Sequence, residues 1–126
     1  MISRYLGVKM ITRKETNERM SRIVEYNNTV YLAGIVSDDK TLDIKGQAQR
    51  VFEIAEQRLK EIGSNKDCIL RAEIFVKDIY RDFSSFNEAW DFWVSKEHPP
   101  ARACVEANMA SAETLVEIIF TAVKVK

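Results

Sequence analysis

The segment "PPARACVEANMASAETLVEIIFTAV", residues 99–123, places two charged residues where a fold tolerates few. Two prolines end the preceding segment, and two strand-like runs follow, at residues 101–107 and 114–125. The first run carries Arg102, and the second is apolar almost throughout except at Glu117. An unpaired charge in a buried strand is strongly unfavourable, so each charge needs a partner or access to water. The last strand is expected to be buried on both faces, or buried on one and covered by a partner subunit on the other.

A hairpin between these two runs would bring the charges together. A register that pairs residue 104 with residue 115 also sets Arg102 opposite Glu117, and directly opposed residues lie about 5 Å apart at Cβ. Two interpretations follow. In one, a buried ion pair only fixes the register. In the other, the planar fork of Arg102 grips a substrate carboxylate while Glu117 holds or deprotonates a water molecule.

A second hairpin is predicted upstream, in "SRIVEYNNTVYLAGIV", residues 21–36. Asn27 and Asn28 suit the positive φ values of a two-residue turn between two strand-like arms. The second arm, residues 30–36, is apolar on both faces, which indicates a central strand. Gly34 within that arm indicates a bulge or the close approach of another group.

Helix and strand patterns alternate in the middle of the chain. Residues 43–63 have the apolar period of an amphipathic helix, residues 68–78 alternate as a strand, and residues 81–98 form a second helix with an aromatic stripe. Asp82 and Ser85 are the alternative N-caps of the second helix. The residues expected on the buried face of the intervening strand are Leu70, Ala72, Ile74 and Val76.

The resulting order ββ-α-β-α-ββ defines an α+β fold, with a mixed or antiparallel sheet and two helices packed on one face. At 126 residues, the chain is expected to form a single domain spanning residues 1–126. Residues 1–18 carry little pattern, and their structure is not predicted.

Composition and cysteine count argue against several functions. The chain has 19 basic and 19 acidic residues, so it lacks the basic surplus typical of nucleic-acid binding. His98 is the only histidine, and Cys68 and Cys104 form neither a zinc pattern nor a disulfide scaffold. Cys104 has no histidine nearby in sequence to activate it, so both cysteines are expected to be small buried hydrophobes.

No phosphate-binding glycine loop, bilayer-length apolar run or secretory signal is present in the sequence. We therefore expect a cytoplasmic protein without a common zinc site, a phosphate-binding loop or a membrane partner.

The segments "PARACVEA" and "ETLVEIIFTAVK", with Glu117 fifteen positions after Arg102, resemble the Rid/YjgF family of reactive-intermediate deaminases, once described as L-PSP-type endoribonucleases. The segments "VYLAG", "FNEAW" and "LKEIG" are also similar, so the resemblance spans about residues 20 to 124. It implies a chorismate-mutase-like α+β fold with a mixed sheet. It also implies a homotrimer with pockets between subunits and no cofactor.

The resemblance implies a reaction and roles for individual residues. Members with the arginine hydrolyse 2-imino or enamine acids to 2-keto acids and ammonia. On that basis Arg102 binds the substrate carboxylate, the main-chain carbonyl of Cys104 orients the imine nitrogen, and Glu117 positions the attacking water. The other residues that the resemblance assigns to the substrate pocket are Met20, Ala33, Gly34 and Asn87.

The chain departs from the best-known subgroup at one wall of this pocket. It has "RMSR" in place of "PYSQ", so Met20 replaces a tyrosine and Arg22 a glutamine, while Ala33 replaces a serine. The loss of two hydroxyl groups makes the pocket less polar. A non-enzymatic trimer that binds keto acids or regulates through the same pocket is therefore the alternative. Ribonuclease activity is disfavoured by the zero net charge and by the absence of a basic strip interleaved with aromatic residues.

Overall fold

The computed structural model describes residues 11–125, which form one sheet and two long helices. A short 3-10 turn, Lys66–Cys68, precedes the fifth strand. In chain order the elements are β1 (Thr12–Thr16), β2 (Ser21–Tyr26), β3 (Thr29–Leu32), β4 (Ile35–Val36), α1 (Ile44–Glu61), β5 (Ile69–Val76), α2 (Ile79–Trp93), β6 (Ala101–Glu106) and β7 (Val116–Val123).

The strands form a seven-stranded mixed sheet in the order β1-β2-β3-β7-β5-β6, and β4 also pairs with β7. Within the described residues, β5 and β6 run parallel and the other neighbours run antiparallel. Phe52 of α1 stacks on Trp93 of α2, and Trp93 also contacts Phe120 of β7. Both helices therefore pack on the same face of the sheet, which confirms the predicted α+β architecture. Neither helix is long and apolar enough to cross a membrane.

The first helix follows the predicted pattern. Asp43 caps its N-terminus by accepting a hydrogen bond from the Gly46 N–H, and Gly63 beyond its end has a φ of 76°. The predicted apolar stripe is buried against the sheet; its members are Ala48, Val51, Phe52, Ala55, Leu59 and Ile62.

The upstream hairpin is also confirmed. Asn27 and Asn28 have φ values of 51° and 64° and connect β2 to β3. The predicted second arm is divided at Ala33 and Gly34 into β3 and β4, so the interruption expected at Gly34 is present. An additional strand, β1, lies within the segment whose structure was not predicted.

Three details of the prediction were wrong. Leu70 is half exposed, because a register shift between Ile69 and Arg71 turns Ile69 inward instead. Helix α2 begins earlier than expected and is capped by Asp78, whose side chain accepts from the Arg81 N–H. The cysteines are half-buried rather than buried, and Cys68 lies in the 3-10 turn rather than in a strand.

The predicted hairpin between the last two strands is wrong. Strand β5 lies between β6 and β7, parallel to the first and antiparallel to the second. Arg102 is a neighbour of Ala72, whereas Glu117 is a neighbour of Phe75. The two charges are therefore not directly opposed, because the crossover through α2 places β6 parallel to β5, on the side away from β7.

The sheet face opposite the helices has no covering element within residues 11–125. Residues of β7 alternate between the buried core and this open face, where Ile119 is half-buried. Phe75 on β5 shares the face, Tyr31 is 49% exposed and Val105 is 47% exposed. The face also carries Arg71, Glu73 and Glu117, and its exposed apolar side chains are the part that is typical of a surface covered by another subunit.

Gln47 is a buried polar residue that ties α1 to the segment before β7. Its side-chain nitrogen donates to the carbonyls of Leu42 and Glu113, and its side-chain oxygen accepts from the Leu115 N–H. The residue is fully buried. It therefore fixes the entry of β7 into the sheet.

We expect Gln47→Ala to lower the free energy of unfolding by about 3 kcal/mol, because it leaves buried backbone groups without partners. Urea denaturation followed by circular dichroism measures this change. Gln49→Ala, an exposed position on the same helix, should change stability by less than about 0.5 kcal/mol. Equal effects of the two substitutions would contradict the assigned role of Gln47.

Candidate functional site

Arg102 lies on β6 and extends toward the helix side of the sheet. Its Nη2 donates to Oδ1 of Asn87 at 2.8 Å. Its guanidinium carbon lies 5.2 Å from the Trp90 ring centroid and 5.9 Å from that of Phe86. These distances correspond to cation–π contacts, so α2 provides an aromatic shelf, formed by Phe86 and Trp90, and one hydrogen-bond acceptor. Arg102 has no carboxylate within salt-bridge distance among residues 11–125.

Cys104 follows Arg102 on the same side of β6 and is half-buried. Burial raises the pKa of its thiol, although the nearby Arg102 charge acts in the opposite direction. A thiol held in its protonated form is a weak nucleophile. The prediction that this side chain is not the nucleophile is therefore supported by its environment.

The backbone of Cys104 is better placed for a functional contact than its thiol. Strand β6 forms one edge of the described sheet, and the Ala107 N–H donates to the Val76 carbonyl. Because backbone groups of alternate residues point to opposite sides of a strand, the polar backbone groups of Arg102 and Cys104 point to the free edge. A ligand at that edge can therefore reach the Cys104 carbonyl.

Glu117 lies on β7 beside Val36 of β4 and Phe75 of β5. Its neighbours along the strand, Val116 and Ile118, are buried in the core, so Glu117 faces the open side of the sheet. Its carboxylate lies against Gly34: a Cβ atom added to that glycine would be 2.1 Å from Oε2. Gly34 thus provides the close approach that the sequence indicated.

Arg102 and Glu117 do not meet within one chain. Arg102 shares the helix side of the sheet with its lateral neighbour Ala72, which is fully buried, whereas Glu117 is on the opposite face. The expected pocket is therefore divided into two parts. Arg102, Cys104 and Asn87 form one part, and Glu117 with Gly34 forms the other.

Met20 and Gly34 line a groove of about 530 Å³ between α1, the β1–β2 hairpin and β4. Met20 is 42% exposed, and the Ala33 N–H beside the groove donates to the carbonyl of Arg22. The residues that the sequence assigned to one pocket wall are therefore close to one another on this side of the molecule.

The groove also contains basic side chains that the sequence analysis did not identify. Arg50 grips both carboxylate oxygens of Asp38 at 2.8 Å, and Arg22 contacts Glu15 at 3.3 Å. Arg58 makes no hydrogen bond or salt bridge with residues 11–125, and burial followed by the nearby charge of Arg22 lowers its pKa. Its position on the polar side of an amphipathic helix gave no signal in the sequence.

Among residues 11–125, no group of three or more histidine, cysteine or carboxylate side chains could hold a metal ion.

The sequence matches the family model described as Endoribonuclease L-PSP over residues 10–124. A RutC family protein of Haemophilus influenzae is 39% identical over 114 residues, covering 89% of this chain and 97% of that protein. A crystal structure of a YjgF-family protein from Neisseria meningitidis has a TM-score of 0.88 at 37% identity, covering 92% of this chain and 96% of the other. A protein of Acinetobacter baylyi named 3-aminoacrylate deaminase RutC is 26% identical over 98 residues, covering 73% of this chain and 76% of that protein.

The mixed sheet carries two helices on one face, and the match to the YjgF-family structure extends over most of the chain. The protein therefore has the chorismate-mutase-like α+β fold. The chain belongs to the endoribonuclease L-PSP family, which includes the YjgF and RutC proteins.

The contact between Gly34 and Glu117 can be tested by a double-mutant cycle. We expect Gly34→Ala to destabilise the protein by about 1 kcal/mol, because the new methyl group must displace the Glu117 carboxylate from its rotamer at a position that is otherwise open. The same substitution in a Glu117→Ala background should cost much less, since the clashing atoms are gone. Equilibrium unfolding measures all four proteins. An unchanged cost in that background would show that the carboxylate does not contact Gly34.

Proposed function

We propose that this protein hydrolyses 2-imino or enamine acids to 2-keto acids and ammonia in pockets formed between subunits. The observation that carries the proposal is the guanidinium of Arg102. It is held by the cation–π contact with Trp90 and by the hydrogen bond to Asn87, and it has no carboxylate partner among residues 11–125. A guanidinium fixed in this way is prepared for two-pronged binding of a carboxylate from a ligand.

In this mechanism Arg102 binds the substrate carboxylate and so fixes the position of the adjacent C=N carbon. The Cys104 carbonyl accepts a hydrogen bond from the imine nitrogen, and Glu117 holds the attacking water and takes its proton. An enamine first tautomerises to its imine. The water oxygen bonds to the imine carbon while the C=N π pair moves to nitrogen, which takes a proton, giving a carbinolamine. Glu117 then gives the nitrogen the proton it took from water, and the C–N bond breaks to release ammonia as the hydroxyl group loses its proton and the carbonyl forms.

Homotrimeric assembly is part of the proposal, because Arg102 and Glu117 lie on opposite faces of the sheet of one chain. A second subunit packed on the open face can bring its own Arg102 to the Glu117 of the first. The half-exposed apolar side chains Tyr31 and Val105 support this surface as the contact between subunits.

The relatives support the class of reaction. One of them, from Acinetobacter baylyi, is named as a 3-aminoacrylate deaminase. Its substrate is by name an enamine that carries a carboxylate, which is the class that Arg102 and Glu117 suit chemically. The zero net charge gives no comparable support to ribonuclease activity.

A second candidate function is non-enzymatic binding of keto acids in the same pocket. It is favoured by Met20 and Ala33, which present no hydroxyl group beside Gly34. In this case the ligand binds at Arg102 and no water is activated.

We expect Arg102→Gln to lower kcat/KM for freshly generated 2-imino acids by about 100-fold or more, because the charged contact to the carboxylate is lost. The assay follows imine disappearance after an amino-acid oxidase produces it. Arg13→Gln, which removes an exposed guanidinium on β1, should leave kcat/KM unchanged. Wild-type turnover by Arg102→Gln would exclude the carboxylate-anchor role.

Glu117→Gln separates the two candidate functions. A deaminase should lose most of its kcat in this variant while its affinity for 2-ketobutyrate stays within a few-fold of wild type. If the protein only binds keto acids, both the wild type and Glu117→Gln should bind them saturably, and neither should accelerate imine hydrolysis.

Assembly can be tested separately by light scattering during gel filtration. We expect a trimer for the wild type and dissociation for Ile119→Lys, because the substitution places a charge in the proposed apolar contact. Tyr80→Lys, at a 96% exposed position on α2, should remain trimeric. A trimeric Ile119→Lys variant would assign the contact between subunits to another surface.

A further inference from the structure

The groove beside Met20 contains a positive charge that the deaminase mechanism does not use. Arg58 extends from α1 into this groove and is half-buried. Its guanidinium makes no hydrogen bond or salt bridge with residues 11–125, even though a guanidinium has five N–H donors. No nitrogen of Arg58 is among the fully buried side-chain atoms of residues 11–125 that lack a hydrogen-bond partner, so its donors are accessible from the groove.

The other arginines of the groove are already paired. Arg50 binds Asp38 with two hydrogen bonds and also contacts Glu53 at 3.1 Å, and Arg22 contacts Glu15. These contacts leave Arg58 as the guanidinium of the groove without an acceptor among the described residues. Burial and the like charge of Arg22 lower the pKa of Arg58, and the carboxylates of Glu15 and Glu61, which also line the groove, act in the opposite direction without reversing the shift. An anion bound directly to the Arg58 guanidinium would offset the burial and the repulsion from Arg22.

The groove adjoins the part of the proposed active site that contains Glu117. Gly34 is the shared element: the Glu117 carboxylate lies against it, and the same glycine lines the groove with Met20. The space that a side chain at residue 34 would fill is occupied by the Glu117 carboxylate, so this carboxylate lies where the groove begins and a ligand in contact with it can extend into the groove. The flexible, apolar Met20 suits contact with the methylene groups of such a ligand.

We propose that Arg58 binds a second carboxylate at the far end of the substrate, so that the site prefers dicarboxylic over monocarboxylic imino and keto acids. This inference rests on the proposed function for the position of the first carboxylate at Arg102. Arg102 anchors the carboxylate next to the reacting carbon, and Arg58 pairs with the one carried by the substrate side chain. The volume of the groove, about 530 Å³, accommodates a side chain of this size.

The test compares keto acids of equal chain length, so that only the second carboxylate differs. The probes are 2-ketoglutarate against 2-ketovalerate, and 2-ketoadipate against 2-ketohexanoate, titrated calorimetrically into the wild-type protein. We expect at least one dicarboxylate to bind about tenfold more tightly than its partner. Arg58→Gln should abolish this preference and leave the affinity for the monocarboxylates within about twofold of wild type.

Lys60→Gln is the matched control, because it removes one positive charge from an exposed position on the same helix outside the groove. The control should retain the full preference. If it loses the preference to the same extent as Arg58→Gln, net charge and not the groove is responsible. Equal binding of the paired acids by the wild type, or no binding of any of them, also overturns the inference.

These outcomes are distinguishable from a failure of the proposed function. A preference for dicarboxylates that depends on Arg58, without imine hydrolysis, would support the groove and exclude the deaminase. Efficient hydrolysis of monocarboxylic imines, with no preference for a second carboxylate, would support the deaminase and exclude the role of Arg58.

Discussion

Strand β5 is the constraint on which the arrangement of the site depends. It pairs in parallel with β6 on one side and antiparallel with β7 on the other. Its own side chains alternate between the core, where Ala72 and Ile74 are fully buried, and the open face. Because lateral neighbours in a sheet share a face, this one strand directs Arg102 toward the helices and Glu117 away from them. A single chain therefore keeps the two groups apart, and a site that uses both has to include more than one subunit.

The same strand explains how a guanidinium is tolerated at the edge of a core. Arg102 is next to the small side chain of Ala72, which leaves space for its aliphatic stem. Its charged end then lies over Trp90 and reaches Asn87, both supplied by α2. The aromatic shelf compensates part of the desolvation, and the edge position keeps the remaining donors accessible. Neither an aspartate nor a glutamate neutralises the charge within residues 11–125, which leaves it available for an external anion.

The sequence predicted the individual helices, strands and turns better than it predicted which strands lie side by side in the sheet. Local signals such as the Asn27–Asn28 turn and the stripe of α1 are confirmed, since they depend only on residues close in the chain. The prediction that β6 and β7 are neighbours in the sheet was wrong. A short connection between two strand-like runs suggests a hairpin, but the sequence carries no signal that another strand, β5, lies between them. The cap at Asp78 was missed for a different reason: Asp82 and Ser85 are equally good caps in isolation, and tertiary packing selects among them.

In the candidate site, too, some residues can be recognised from the sequence, whereas their arrangement in space cannot. Arg102 and Glu117 stand out because a charge in an apolar strand is unusual, so both can be selected as candidate site residues from the sequence, whereas their relative positions cannot be predicted from it. Arg58 has no such contrast, since arginine is ordinary on the polar side of a helix. It becomes noticeable only when the fold places it in a groove where Arg22 and Arg50 already have acceptors. The wall that lost the hydroxyl groups at positions 20 and 33 thus adjoins a guanidinium without an acceptor in residues 11–125. In the proposed function, this guanidinium would therefore place polarity at the distal end of the substrate instead of beside the reacting carbon.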